Sequence, residues 1–329
     1  MAYTTIDNPE LYFQTKLYTG NGGTQSITLD GSENMQPDWV WVKQRGGTTN
    51  HKTSNSVTGA TKALQPNDTD AEATDSDGIT SFDSNGFSLG AGGDYNGSSN
   101  TQVAWCWKKQ AGIFDIVTYT GNGSNRTISH NLGAVPTMMV TKVRSTTNQW
   151  LVYHKSMGNT ETMKWDDTSA ATTQSNLWNS TTPTSSVFSV GTHTGSNLDG
   201  GTFVIYLFGD KQGVSKMGSY TGNGNANGKF VYTGFKPAFL LWKLTTAAGY
   251  GFQLVDSKRN TFNPVNSLLF PYETHAEYTN ASEDLDLLSN GFKIRNSDRG
   301  RNGSGDNYIY MAFAENPFVT STGVPATAR

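Results

Sequence analysis

The sequence lacks most features that mark an exported, membrane-bound or nucleic-acid-binding protein. A single cysteine, Cys106, excludes an internal disulfide, and its position in an apolar run predicts buried packing. The longest uninterrupted apolar run spans residues 203–208, far short of the roughly 20 residues of a membrane helix. The N-terminus has no basic start and no apolar segment, so we expect no signal peptide. With 24 Lys and Arg against 27 Asp and Glu, nothing indicates nucleic acid as a partner. We therefore expect synthesis in a reducing cytoplasm, without membrane insertion.

Charged residues are scarce, whereas glycine and aromatic residues are plentiful. Charged side chains make up 16% of the chain, against about 25% in an average globular protein. Disordered chains have few aromatic residues and a high net charge, so 8 Trp, 14 Tyr and 16 Phe at a net charge of −3 exclude disorder. The 36 Gly, with abundant Asn, Thr and Ser, imply many turns. This composition is typical of a sheet-rich protein with polar loops.

The sequence Tyr-Thr-Gly-Asn-Gly occurs three times, beginning at Tyr18, Tyr119 and Tyr220, with a spacing of 101 residues. Three further landmarks follow each copy in the same order: a proline, an apolar run and a lysine; a turn before a phenylalanine; and a closing aromatic strand. These landmarks occupy residues 37–43, 136–142 and 237–243; 84–87, 185–188 and 289–292; and 103–107, 203–208 and 308–313. Since all four landmarks recur in the same order at nearly the same spacing, the pattern indicates three copies of one unit of about 100 residues.

Each unit reads as a set of short strands. Its apolar segments are five to seven residues long and are separated by Gly, Asn, Ser and Pro. In residues 39–42, Trp-Val-Trp-Val, both alternating faces are apolar, as in a strand packed on two sides. A short helical turn is expected at most, within residues 75–84 and 281–288. Asn-Gly dipeptides favour tight hairpins and occur at residues 21, 85, 122, 223 and 290.

Sheets without helices to cover them must bury one sheet against another. We therefore predict an all-β fold of three tandem antiparallel β-sandwich repeats, of jelly-roll or concanavalin-like type. The predicted segments are an N-terminal docking segment, three repeats and a C-terminal tail, at residues 1–16, 17–110, 111–212, 213–318 and 319–329. The links between repeats are short, which predicts a rod or a compact stack. Placed end to end, the repeats would span roughly 100–120 Å.

The repeated Tyr-Thr-Gly-Asn-Gly motif has two interpretations. It is a strand end that enters a glycine hairpin, or a loop that cradles phosphate or sugar. Glycine loops that hold phosphate lie between a strand and a helix. Because no helical pattern follows any copy, we favour the strand end.

Catalytic and metal-binding patterns are absent from the sequence, and we predict no catalytic, metal-binding or cofactor-binding residue. The histidines form no HExxH, and there is no CxxC or Gly-x-Ser-x-Gly. The acidic residues 68–78 alternate in a way that suits calcium, yet Ala73 and Ile79 replace the glycine and glutamate of an EF loop, so we interpret them as a solvated loop. The adjacent carboxylates at residues 166–167 and 283–284 are interpreted as surface charge.

Three tryptophans lie in the polar middle of the second repeat and are candidates for stacking on sugars. Trp150 and Trp165 align with apolar positions of the other repeats, which favours the core for both. Trp178 has no aligned counterpart. It is therefore the candidate ligand-binding residue.

Leu11, Tyr12 and Phe13 form an apolar patch before the first repeat, without a place in the repeat pattern. We predict that this segment docks onto a particle or a partner subunit. On that hypothesis, deletion of residues 2–14 abolishes incorporation and leaves the thermal transition of the sandwiches intact.

The repeats resemble those in tail-fibre and virion-surface proteins of marine bacteriophages, including cyanophages. The resemblance extends from about residue 17 to residue 318 and is carried best by residues 220–239 and 308–318. It implies a virion structural component that decorates heads or forms tail appendages meeting the host envelope. It supplies no catalytic residues.

We therefore expect a non-enzymatic virion-surface protein, a tail fibre or receptor-binding appendage. Head decoration with a purely architectural role, a surface-polysaccharide depolymerase and a carbohydrate-binding array are the alternatives. The expected partners are other virion proteins through the N-terminal segment, further copies of the chain and a host surface glycan.

Overall fold

The computed structural model describes residues 3–280 and 284–327 of the chain. The strand pairs in these ranges are antiparallel, and they form large and small sheets that pack face to face. The prediction of an all-β fold built from antiparallel β-sandwiches is confirmed. No helix within these ranges is long and apolar enough to cross a membrane.

The strands fall into three successive units, each with one four-residue helix before its last strand. The first unit, after a 3-10 turn at Pro9–Leu11, consists of β1 (Phe13–Thr19), β2 (Gln25–Thr28), β3 (Trp39–Gln44), β4 (Lys52–Asn55), β5 (Gly59–Leu64), β6 (Ala73–Thr74), β7 (Ile79–Asp83), β8 (Gly86–Leu89), α1 (Gly93–Asn96) and β9 (Thr101–Trp107). The second consists of β10 (Phe114–Thr120), β11 (Arg126–Ser129), β12 (Met138–Val143), β13 (Leu151–His154), β14 (Glu161–Lys164), β15 (Thr172–Thr173), β16 (Val187–Val190), α2 (Thr194–Asn197) and β17 (Thr202–Phe208). The third consists of β18 (Ser215–Thr221), β19 (Phe230–Tyr232), β20 (Phe235–Leu244), β21 (Gln253–Asp256), β22 (Ser267–Leu268), β23 (Tyr278–Thr279), β24 (Leu285–Leu288), β25 (Gly291–Ile294), α3 (Arg299–Asn302) and β26 (Asn307–Pro317).

The large sheets of the three units share one strand order. The opening strand pairs with the closing strand, which pairs in turn with the strand that carries the proline–apolar–lysine landmark: β1-β9-β3-β4, β10-β17-β12-β13 and β18-β26-β20-β21. The opening residues Phe13, Phe114 and Ser215 lie opposite the closing aromatics at the same register. They are 101 residues apart, like the sequence motif. The predicted boundary after residue 16 is wrong, because it falls inside β1.

One face of each large sheet packs against the small sheet of its own unit. In the first unit this core contains Val40, Val42, Phe87 and Cys106, all of them buried. The prediction of a buried Cys106 is confirmed, and burial raises the pKa of its thiol. The second and third units have equivalent cores of their own.

The other face of each large sheet packs in the middle of the molecule, where all three units share one apolar cluster, here called the central core. Aromatic contacts cross every boundary between units: Phe13 with Phe313, Trp39 with Phe114, and Phe208 with Phe313, at ring-centroid distances of 5.2, 5.8 and 6.2 Å. The predicted end-to-end rod is therefore wrong. Both faces of the large sheets are apolar, and only a closed arrangement of the units removes both faces from water.

The repeated motif is a clasp that joins each opening strand to the short helix before the closing strand. In the first unit the Tyr18 hydroxyl donates a hydrogen bond to the Tyr95 carbonyl at 2.7 Å. The Asn21 amide N–H donates to Asn96 Oδ1, and Asn96 Nδ2 donates back to Asn21 Oδ1, both at 3.0 Å. The same bonds recur at Tyr119, Asn122, Ser196 and Asn197, and at Tyr220, Asn223, Arg301 and Asn302.

Glycine is required at the third position of the motif because backbones approach closely there. A Cβ on Gly20 would lie 2.2 Å from the Gly97 carbonyl oxygen, and Gly121 and Gly222 show the same conflict. The strand-end interpretation is correct for Tyr and Thr, which end β1, but the hairpin expected to follow is wrong, since β1 and β2 belong to different sheets.

Two of the Asn-Gly dipeptides do form hairpins. Asn85 and Asn290 lie in the two-residue loops of β7–β8 and β24–β25. Residues 75–84 and 284–288 contain no helix: residues 76 and 77 form a turn before β7, and β24 begins at Leu285. This agrees with the expectation of a short helical turn at most, and residues 281–283 lie outside the described ranges.

Replacing Asn96 with alanine is expected to lower the free energy of unfolding by about 2–4 kcal/mol, because buried backbone groups lose their partners. Asn96 is buried, and its Nδ2 also donates to the Gly90 carbonyl. Urea unfolding followed by circular dichroism measures the change. Asn34→Ala is the control, because Asn34 is exposed, and its effect is expected to stay within about 0.5 kcal/mol. Equal effects of the two substitutions would contradict the clasp.

Candidate functional site

The three predicted docking residues belong to the first unit itself. Phe13 is 1% exposed in the central core, and its ring packs against Phe239 and Phe313. Leu11 and Tyr12 are half-buried. The Lys108 amide donates to the Tyr12 carbonyl just as Gly209 donates to Ile113 and Ala314 to Val214, so Tyr12 has a regular place in the repeat. The docking assignment of Phe13 is wrong, because its side chain is already buried within the chain.

The residues before β1 fasten the first unit to the third. The Tyr3 hydroxyl donates to the Gly234 carbonyl at 2.8 Å, and the Thr4 hydroxyl donates to the Gln212 carbonyl at 2.9 Å. Asp7 Oδ1 accepts from the Ser321 amide at 2.6 Å. Deletion of residues 2–14 therefore removes Phe13 from the central core together with these hydrogen bonds, so we expect it to lower the melting temperature.

The structure also removes the candidate sugar-binding tryptophan from the surface. Trp178 is 1% exposed and packs edge-on against Tyr153 in the core of the second unit. The ligand-binding assignment of Trp178 is therefore wrong. Trp150 and Trp165 are buried, as predicted, but in the central core and not in the sandwich core of the second unit.

Within residues 3–280 and 284–327, no group of three or more His, Cys, Asp or Glu side chains is close enough to hold a metal ion. Asp166 and Asp167 are not simple surface charges. Asp166 accepts from the Trp150 amide, and burial raises its pKa to about 6. The other predicted carboxylate pair includes residue 283, which lies outside the described ranges.

The most regular polar feature is a set of three buried lysines, here called the anchor lysines, at the end of the proline–apolar–lysine landmark. Each reaches a backbone carbonyl of a neighbouring unit. Lys43 Nζ donates to Thr274 at 3.2 Å, Lys142 Nζ to Thr69 at 3.0 Å, and Lys243 Nζ to Asp167 at 2.7 Å. The lysine of the first unit thus bonds to the third unit, the lysine of the second unit bonds to the first, and the lysine of the third unit bonds to the second. This cyclic order is what an approximate threefold axis produces.

The anchor lysines make stability depend on pH. Burial lowers the pKa of Lys43, Lys142 and Lys243 to about 8 each. Between about pH 8 and 10 the unfolded chain therefore binds more protons than the folded chain, and the free energy of unfolding increases with pH. Cys106 acts in the opposite direction, because burial raises the pKa of its thiol in the folded chain. Above about pH 8.5 the unfolded chain loses this proton and the folded chain keeps it, which lowers the free energy of unfolding.

We expect the free energy of unfolding to rise by about 1–2 kcal/mol between pH 8 and 9.5. Urea unfolding at both pH values measures it, and Lys142→Met should show a smaller rise. Above about pH 10 the buried tyrosines, with raised pKa values, reverse the trend. A stability that falls steadily from pH 8 would contradict the prediction.

Two of the three interfaces between units are also closed by an ion pair, here called a bridging pair. Arg144 of the second unit binds Glu72 of the first through two hydrogen bonds of 2.8 and 2.7 Å. Arg45 of the first unit binds Glu277 of the third in the same way, at 2.9 and 2.8 Å. A backbone bond accompanies each pair, since Glu72 and Glu277 donate their amides to the carbonyls of their arginine partners.

The third interface, between the second and third units, keeps the backbone bond and the Lys243–Asp167 contact but has no counterpart of the bridging pair among the described residues. The Ala171 amide donates to the Thr245 carbonyl at 3.0 Å, in the position of the Glu72–Arg144 bond. Neither side chain is long enough to bridge the gap. We call this the open interface.

A cleft of about 630 Å³ lies at the open interface. Its lining comes from both units and includes Ser156 and Glu161 on one side and Thr221 and Asn307 on the other, with Ala171 and Thr245 between them. The size falls within the range of about 300–1,000 Å³ that small-molecule sites occupy. The cleft is the candidate functional site.

A family described as Domain of unknown function (DUF7483) matches residues 8–317. The chain belongs to the DUF7483 family. No curated protein matches the chain. The DUF7483 match begins before β1 and ends at the last residue of β26, so the family domain takes in all three units and the cleft between two of them.

Sequence reasoning did not find the residues that build this site. The sequence marks the anchor lysines only as landmarks of the repeat. Their position at the end of an apolar strand is the signal that they are buried ammonium groups in need of acceptors. Arg45 and Arg144 each stand two residues after an anchor lysine, whereas Thr245 stands after Lys243. This difference between otherwise matching segments is the one sequence signal for the open interface.

Proposed function

We propose that the protein is a non-enzymatic structural component of a bacteriophage virion, carried on the particle surface as a tail-fibre or receptor-binding appendage that contacts the host envelope. The observation that carries the proposal is the closed ring of units. Buried lysines, bridging pairs and a common core hold the units together, which suits a rigid part that must transmit or resist force outside the cell.

One surface of the third unit suits attachment to other virion proteins or to further copies of the chain. β19 is an edge strand of its small sheet, and its Phe230 and Tyr232 are 41% and 53% exposed. In the equivalent edge strands β2 and β11 the exposed side chains are the serines and threonines at residues 26, 28, 127 and 129. Exposed aromatic residues on an unpaired edge are typical of an assembly surface.

Immunogold labelling of purified particles tests the location, and binding of the purified protein to host cells tests the contact. We expect label on the particle surface and saturable cell binding. Phe230→Ser should reduce incorporation, while Thr28→Ser on the polar edge β2 should not. Label on the head without cell binding would favour an architectural decoration. Absence of the protein from particles would refute the proposal.

A further inference from the structure

We propose that the cleft at the open interface binds a neutral saccharide of the host envelope, an inference that rests on the proposed host-contacting function. The approximate threefold symmetry supplies the first argument. Corresponding positions at the other two interfaces are filled by bridging pairs, so the cleft exists because Thr245 and Ala171 replace an arginine and a glutamate.

The lining of the cleft has the chemistry of a sugar site. Hydroxyl and amide groups predominate among the side chains that face it: Ser156, Ser219, Thr221, Thr245, Thr246 and Asn307. Such groups donate and accept hydrogen bonds and match the hydroxyls of a saccharide. The half-buried Met157 adds apolar surface, which suits the C–H face of a sugar ring.

Several of these polar groups are held in place before any ligand arrives. Thr221 Oγ1 donates to Asn307 Oδ1 at 2.8 Å, and Thr245 Oγ1 donates to the Asn307 carbonyl at 2.9 Å. The first bond fixes the amide of Asn307. Its Nδ2 group has no hydrogen-bond partner within residues 3–280 and 284–327 and remains a donor for a ligand. Groups fixed in advance lose less entropy on binding.

The charge of the cleft selects the class of sugar. Glu161 is the one charged side chain of the lining, and it forms no ion pair with any residue that the structure describes. A carboxylate accepts two hydrogen bonds, as from neighbouring hydroxyls of one ring. Without a lysine or arginine in the lining, an acidic sugar or a phosphate would meet only repulsion. The cleft therefore favours neutral saccharides.

The decisive variant copies the bridging pair of the other interfaces into the open one. Ala171→Glu combined with Thr245→Arg is expected to fill the cleft, keep or raise the melting temperature, and lower saccharide affinity at least tenfold. Thr28→Arg with Thr80→Glu adds the same charges at exposed positions of the first unit and should leave affinity unchanged. Glu161→Gln is a second test of the cleft. We expect it to lower saccharide affinity less than the double variant does and to leave the melting temperature unchanged.

Binding is measured on an array of capsular and lipopolysaccharide-derived oligosaccharides, neutral and acidic, and on intact host cells. Binding to neutral sugars that is lost in the filled variant supports the assignment of the cleft as the saccharide site. The array shows whether the bound sugar comes from capsule or from lipopolysaccharide. Equal binding by the filled variant and the wild-type protein, or binding to acidic sugars alone, overturns the assignment. If the wild-type protein binds cells and the filled variant binds them equally well, only the cleft is wrong. If the wild-type protein binds neither cells nor sugars, the host-contacting function fails.

Discussion

The second unit produced alone, as residues 111–212, is expected to be unfolded or aggregated. In the whole chain the inner face of its large sheet is covered by the other two units, and Ile116, Val140, Val152 and Phe208 lie in the central core. Alone, the fragment would expose this face to water, and exposed apolar sheets associate. Size-exclusion chromatography and circular dichroism of the fragment and the whole chain measure the difference.

A redesigned fragment tests whether the natural fragment fails because its inner face is uncovered or because the unit cannot fold at all. Threonine at residues 116, 140 and 152 keeps strand propensity while making the face polar. The unit core around Met139, Trp178 and Phe188 is untouched. We expect the redesigned fragment to be more soluble and more folded than the natural one. A natural fragment that is monomeric and unfolds cooperatively would show that the central core is dispensable.

Trp107→Ala is expected to lower the free energy of unfolding of the whole chain by about 3–5 kcal/mol. The Trp107 ring is fully buried, packs on Trp39 at 4.3 Å within its own unit, and contacts Phe239 and Phe313 of the third unit at 5.5 and 5.8 Å. Because Trp107 packs against residues of the first and third units, its loss destabilises both units, and we expect the two to unfold in one transition. Guanidinium unfolding followed by tryptophan fluorescence and by circular dichroism tests whether one transition remains.

The matched control is Trp107→Phe. The indole N–H of Trp107 has no hydrogen-bond partner in the described part of the chain, so phenylalanine removes volume without stranding a polar group. We expect a loss of about 1–2 kcal/mol. A change below about 1 kcal/mol for the alanine variant, or separate transitions for the two probes, would argue against one shared core.

The local structure of the units follows closely from the sequence. The closing strands and the hairpins around Asn85 and Asn290 were predictable because their signals lie within a few residues of the structure they specify. The first strand was missed at its start, although extending the 101-residue offset backwards aligns Tyr12 and Phe13 with Ile113 and Phe114.

The arrangement of the units was not predicted, because it depends on contacts between distant residues. Asp7 and Ser321 meet across almost the whole chain. The apolar alternation of residues 39–42 did indicate that β3 is covered on both faces. Trp39 and Trp41 lie in the central core, while Val40 and Val42 lie in the unit core. The sequence alone does not show which surface covers the second face.

Joining the three units in one polypeptide has a consequence for valency. A trimer of identical subunits would repeat every contact three times, so a change that opened one boundary would open all of them and weaken the whole assembly. In a single chain the boundaries can differ. Ala171 and Thr245 leave one boundary without a bridging pair, whereas Arg45 and Arg144 form bridging pairs at the other two. Within the described residues this cleft occurs at one boundary of the three, so several copies of it can act together only where several chains associate.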